Sequence, residues 1–268
     1  MCNSAPVDIS EGMARRYVTD ALSGVPLEVA APAEAVSTTL PEVQNAIRAA
    51  LDSTNSALGM GTLMNRFLKL ADGKSQQGLW VPEAVDSLRA ALLFASGGLD
   101  TSLKRLVRHA LPELADTDPN VEKHFRKWAE QRVGDSATGA VQAKELVVIL
   151  LGQGDSPRDV LMGRWVYELT DGSAQSVERV DELAQALGIT DKGIRSRTGS
   201  KDMSTLKSAF AARNEIAHEL DVTDPEAEVR KRLEKIRRYR KASDIRAWCT
   251  ELLDVTQQIT NNVADRLP

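Results

Sequence analysis

Along most of this chain, apolar residues recur at three- and four-residue steps, the spacing that puts them on one face of a helix with about 3.6 residues per turn. Pro41 stands well at a first helical position, and the segment after it, VQNAIRAALDSTNSALGMGTLMNRFLKLA, continues as a helix that weakens near Gly59 and Gly61. DGKSQQG, Asp72 to Gly78, then breaks the chain. Pro82 opens a second stretch in which Val85, Leu88, Leu92 and Leu93 step at helical spacing, and Leu99, Leu103, Leu106, Val107 and Leu111 prolong the stripe. Between these two groups, Gly97-Gly98 predicts a kink or the close approach of another helix. Asp118-Pro119 joins a cap to a first-turn proline and starts a short helix to about Arg132.

VQAKELVVILLG, Val141 to Gly152, is a short apolar run that periodicity alone does not assign; its Ala, Lys and Glu entry favours helix. Ser156-Pro157 begins a helix through Leu169, and Ser173 caps another that ends at Gly188. The polar, basic DKGIRSRTGSKD, Asp191 to Asp202, reads as a loop. Thr223 and Glu226 have capping-box spacing around Pro225, so a long helix should start there, with an interruption near Ser243-Asp244 before IRAWCTELLDVTQQITNNVADRL closes the chain. The pattern predicts an all-α helical bundle. Residues 1–40, rich in Ala, Pro, Val and Ser, read as a loosely packed arm. Residues 41–75 read as an N-terminal helical extension and 76–268 as the main helical domain.

One stretch stands out: DMSTLKSAFAARNEIAHEL, Asp202 to Leu220. Met203, Leu206, Phe210, Ala217 and Leu220 form an apolar stripe, with Ser208, Glu215 and Glu219 on the far side facing water. Arg213 falls inside the stripe, and Asn214 and His218 sit one turn apart on its flank. A guanidinium is costly to bury without a partner, so Arg213 either snorkels or helps to form a site.

Composition narrows the classes of function. The chain has 268 residues, 42% hydrophobic and 27% charged, with a net charge of −4; the overall balance therefore does not advertise non-specific polyanion binding, and any polyanion must be held locally. Cys2 and Cys249 lie at opposite ends without metal-ligand spacing, which favours a reduced compartment. The opening MCNSAPVDIS lacks the apolar core of a signal peptide, and no run approaches 18 apolar residues, so a cytoplasmic protein without membrane partners is expected. Only three histidines occur, His109, His124 and His218. No zinc or di-metal spacing, phosphate-binding loop or nucleophile elbow accompanies them, and no cofactor is implied.

RNA carries its own nucleophile, the 2′-hydroxyl beside each phosphodiester. Cleaving it requires removal of that proton, protonation of the leaving 5′-oxygen and stabilisation of the phosphorane. Histidine suits the first two tasks because the residue titrates near neutrality, and arginine suits the third because it is permanently charged and grips two oxygens at once. Asn214 can orient the imidazole or hold the phosphate.

The composite Arg213-Asn214-x-x-x-His218 resembles the signature of the HEPN superfamily (higher eukaryotes and prokaryotes nucleotide-binding domains): an Arg, a polar residue, then a His four to six positions beyond the Arg. LLFASGGLDTSLKRLVRHAL, Leu92 to Leu111, together with RNEIAHEL, makes the chain most similar to the RiboL-PSP-type HEPN group, over roughly residues 80 to 265. The resemblance implies a homodimer in which Arg213, Asn214 and His218 of both copies build a composite, metal-independent endoribonuclease site leaving a 2′,3′-cyclic phosphate and a 5′-hydroxyl. It also implies a toxin or phage-defence effector with an antitoxin or defence-system partner. HEPN toxins paired with nucleotidyltransferase antitoxins have a Tyr two residues after the His. Here that position is Leu220, so regulation through that Tyr is not implied. A non-catalytic helical module that dimerises and binds RNA or protein is the alternative.

The other charged feature is RKRLEKIRRYRK, Arg230 to Lys241, eight basic residues against Glu234 alone. It reads either as the solvated face of a long helix or as a phosphate-tracking surface. In the second case Arg237, Arg238 and Lys241 contact the backbone, Tyr239 stacks on a base, and Arg195, Arg197 and Lys201 extend the surface. His109, after Lys104, Arg105 and Arg108, reads as part of a solvated helix face or as lining the same cleft.

Overall fold

The structure is a computed structural model and describes residues 26–75, 78–134, 156–189, 203–223 and 236–268. Among these residues there are eight α-helices and no strand: α1 Glu34–Thr39, α2 Pro41–Ala71, α3 Pro82–Thr117, α4 Pro119–Gly134, α5 Pro157–Asp171, α6 Val177–Ala186, α7 Ser204–Glu219 and α8 Ala242–Ala264. The architecture is the all-α bundle that the periodicity predicts. VQAKELVVILLG, the loop from Asp191 to Asp202 with Arg195, Arg197 and Lys201, and the capping box at Glu226 lie outside the described residues.

The bundle is built around α3. Of its 36 residues 18 are buried, more than a one-sided amphipathic stripe provides, so the helix must be covered from several directions. Helices α2, α8, α4, α5, α7 and α6 all pack on it. Leu88, Leu92, Leu99, Leu103, Leu106 and Leu111 are completely enclosed there. At about 1.5–3 kcal/mol for each fully buried leucine, this row supplies a large part of the driving force for folding.

Helix α3 runs unbroken through the paired glycines. At Gly98 a Cβ would collide with the Cβ of Ala50 on α2, so the missing side chain is what lets the two helices touch backbone to backbone. Gly61 plays the same part lower down, because a Cβ there would meet the Ala84 carbonyl oxygen at 3.1 Å and the Trp80 ring at 3.3 Å. Gly61, one of the two glycines that predict weakening of α2, therefore marks its contact with α3. Helix α2, which its sequence sets apart as an extension, shares the most extensive helix pair of the bundle with α3.

Residues 26–40, expected to be loosely packed, are tied down. Leu27, Val36 and Leu40 are buried. The Ala30 and Ala33 N–H groups donate to Asp254 and Asn261 of α8 at 2.7 and 3.0 Å, and Asn261 Nδ2 donates to the Ala31 carbonyl. Leu27 stands alone and Val36 and Leu40 make only one turn's spacing, too little to signal an ordered segment, and the partners that satisfy this backbone come from the far end of the chain. Two boundaries also shift. The residue that caps α6 is Ser176, whose Oγ accepts from the Arg179 N–H at 3.2 Å, rather than Ser173. Residues 237–241 are not helical: Val222 and Arg237 form an isolated antiparallel bridge, and α8 begins only at Ala242.

Candidate functional site

Helix α7 packs on α3 and α8 through Leu206, Ala209, Phe210, Ala212 and Ile216. The expected stripe is thus rotated slightly: Ala217 and Leu220 are exposed, while Ala209, Ala212 and Ile216 take their place. The helix also stops short. Leu220 (φ 51°) and Asp221 (φ 60°) are both left-handed, and the chain leaves the helix before Leu220 can complete the stripe. The Asp221 N–H reaches back to the Glu215 carbonyl at 3.1 Å, and the Leu220 N–H to that of Ile216 at 3.2 Å. Left-handed leucine costs on the order of 1–3 kcal/mol, so something must hold this turn.

A buried ion network does so. Arg89 of α3 spends its whole guanidinium there: Nε donates to Asp221 at 2.7 Å, NH1 to Asp86 at 2.7 Å, and NH2 to the Arg238 carbonyl at 2.9 Å. Arg240, also buried, donates through Nε and NH2 to Asp221 and through NH2 to Glu215 at 2.5 Å. Burial pushes the Asp221 carboxyl up, but hydrogen bonds from Arg240 and Arg89 outweigh it and leave the group below its ordinary value. Burial likewise works to lower Arg240, and its bonds to Asp221 and Glu215 reverse the sign and raise it. Glu215, expected to face water, is instead half-buried and bound to Arg240 and Arg238.

Within this frame, Arg213 is half-buried in the stripe as expected, and its NH1 donates to Asn214 Oδ1 at 3.0 Å. Burial lowers the Arg213 guanidinium, and the charge of Asp100 on α3 opposes that shift. Asn214 and His218 are exposed one turn apart, and among the described residues His218 has no hydrogen bond or ion pair. Arg213 and His218 are five positions apart, about 140° around the helix axis. In one chain the cation points toward α3 while the imidazole stands at the surface.

The described part of the basic run is largely engaged with the protein itself. Arg237 donates from Nε to the Leu220 carbonyl at 2.9 Å and pairs with Asp86 at 3.0 Å. Arg238 pairs with Glu215 at 2.9 Å. The Tyr239 hydroxyl accepts the Trp80 N–H at 2.9 Å, although the residue remains 39% exposed. Lys241 is exposed at the start of α8. A cleft of about 230 Å³ opens between the first turns of α3 and this segment, lined among others by Trp80, Glu83, Asp86, Arg237, Arg238 and Tyr239. His109 is not part of it; its Nε2 lies 3.0 Å from Glu42 on the exposed α2–α3 face.

Sequence reasoning misses Arg89, Asp86 and Asp221. Their only signal is that Asp221 follows the motif directly and that an arginine occupies a buried position of the α3 stripe. Among the described residues, no three His, Cys, Asp or Glu side chains gather as metal ligands, and no helix is long and apolar enough to cross a membrane. No protein-family model, no characterised protein and no solved structure matches the chain.

Proposed function

We propose that this chain is an endoribonuclease of the HEPN type that needs no metal ion, with Arg213, Asn214 and His218 of two copies forming one site. The observation that carries the reading is the state of His218. An imidazole on the exposed flank of α7, with no partner among the described residues, is available to take and return protons, and it stands one turn from an asparagine already bonded to Arg213. A histidine kept for packing would be enclosed or hydrogen-bonded.

In the proposed reaction one His218 removes the 2′-hydroxyl proton as that oxygen attacks phosphorus. The second His218 protonates the 5′-oxygen as its bond to phosphorus breaks. The Arg213 guanidiniums stabilise the negative charge on the phosphorane oxygens. The products are a 2′,3′-cyclic phosphate and a 5′-hydroxyl. A role as a toxin or defence effector with a dedicated partner protein follows the same resemblance, and the two cysteines, at opposite ends of the sequence, favour the reducing interior of a cell.

The second reading, a non-catalytic helical module that dimerises and binds RNA or protein, draws support from the ion pairs of Arg237, Arg238 and Arg240, which use the basic segment to brace the fold. The test is incubation of the full chain with total RNA in EDTA, followed by mapping of cut sites and end chemistry. Cleavage with cyclic-phosphate ends, reduced about 100- to 10,000-fold by His218→Ala or Arg213→Ala, is expected. Intact RNA, or variants that cut as well as wild type, overturns the proposal.

A further inference from the structure

The cleft beside the end of α7 has a chemistry of its own. At about 230 Å³ it falls below the roughly 300–1,000 Å³ typical of drug-sized ligand sites, which suits a single planar ring system. Two aromatic residues line it, and the hydrogen bond from the Trp80 backbone to the Tyr239 hydroxyl fixes that ring while leaving 39% of the residue exposed, as a stacking platform requires.

Two carboxylates also line the cleft, and they differ in availability. Asp86 is committed to Arg89 at 2.7 Å and Arg237 at 3.0 Å. Glu83 is exposed and, among the described residues, makes no hydrogen bond or ion pair. An ionised carboxylate only accepts hydrogen bonds, so it selects a ring with donors. Guanine alone among the four RNA bases presents two adjacent donors, N1–H and the 2-amino group, that match both oxygens of one carboxylate. Uracil offers one donor, and adenine and cytosine pair theirs with an acceptor that a carboxylate repels. Arg238, half exposed and bonded to Glu215 through one nitrogen, keeps further N–H groups for a phosphate. The adjoining wall is tied to the motif: Arg237 Nε bonds the carbonyl of Leu220, two residues past His218.

We infer that this cleft binds one guanine base, stacked on Tyr239, read by Glu83 and anchored through its phosphate by Arg238. The base is supplied by the RNA strand at the neighbouring site or by a free guanine nucleotide; its strand-borne form rests on the ribonuclease reading.

The experiment uses the full chain in two arms. In the first, calorimetry measures binding of guanosine, adenosine, cytidine and uridine monophosphates to wild type and to Glu83→Gln. Guanosine monophosphate is expected to bind about tenfold tighter than the others, and Glu83→Gln is expected to remove that preference. In the second, RNA cut sites are mapped for both proteins. A guanine at a fixed offset from the cut, lost in Glu83→Gln while cleavage persists, identifies the strand as the source and supports the inference even if the free nucleotide binds weakly. Selective nucleotide binding with uncut RNA supports the cleft and overturns only the nuclease reading. Equal binding of all four nucleotides together with cut sites indifferent to guanine overturns the inference, as does a guanine preference that survives Glu83→Gln.

Discussion

Asp221→Asn isolates the charge at the centre of the network that closes α7. The substitution keeps the volume of the side chain, and asparagine tolerates the left-handed backbone at φ 60° at least as well as aspartate, so neither packing nor strain should change much. What changes is electrostatic. The Asp221 side chain is fully enclosed and accepts from Arg89 Nε and from Arg240 Nε and NH2, while the Arg240 side chain is itself only 7% exposed. Removing one partner of a buried pair leaves the cation uncompensated and costs about 3–5 kcal/mol. Glu215 and the face of Trp248, 5.9 Å from the Arg240 guanidinium, hold part of that charge, which favours the lower end of the range. For a chain of this size the loss corresponds to roughly 6–20 °C in Tm.

The pH dependence supplies a second readout. The folded Asp221 carboxyl titrates below its ordinary value, so as the pH falls the unfolded chain takes up the proton first. The stabilisation is therefore complete above about pH 4 and is lost as the pH drops through the folded value. Urea titrations of both proteins, at pH 7 and at steps down to acid, should show a gap that is largest at neutrality and narrows below about pH 4. A gap under about 1 kcal/mol at pH 7, or one that widens on acidification, refutes the assignment of Asp221 as the charge that holds the turn.

The glycine pair on α3 gives a matched contrast. A Cβ at Gly97 meets nothing within 4 Å, so Gly97→Ala should stabilise by about 0.5–1 kcal/mol, whereas Gly98→Ala should destabilise by about 1–3 kcal/mol through its collision with Ala50; thermal melts of the two variants check the opposite signs. Cys249 is buried on α8, and burial pushes its thiol up to about 12, so with Cys2 replaced by Ser the native protein should resist a thiol reagent at pH 8 and react fully only after denaturation. Ser156→Ala removes the oxygen that accepts from the Asp159 N–H at the start of α5 and should cost about 1 kcal/mol in denaturant melts.

Where local rules dominate, the chain is legible. Pro41, Pro82, Pro119 and Pro157 all stand at the first position of a helix. Asp118 and Ser156 cap the helices assigned to them, because such bonds close within three residues and need no tertiary partner. The half-burial of Arg213 and the place of Asn214 and His218 one turn apart beside it also follow from helical angle alone. Legibility fails where distant groups supply the energy. Residues 26–40 take their order from Asp254 and Asn261, and the segment 237–241, helical by composition, is pulled straight by Leu220, Asp86 and Asp221.

The sequence by itself determined where most of the described helices start and that Arg213 falls on the buried side of α7, since both depend on a period of 3.6 and on short-range caps. Only the tertiary structure decided where α7 ends, which of the basic residues are spent on the protein's own carboxylates, and that a cleft opens between the start of α3 and the segment 237–239. Those outcomes depend on Arg89 meeting Asp221 across 132 positions of chain, where the pairing is fixed by burial and charge and leaves no local trace.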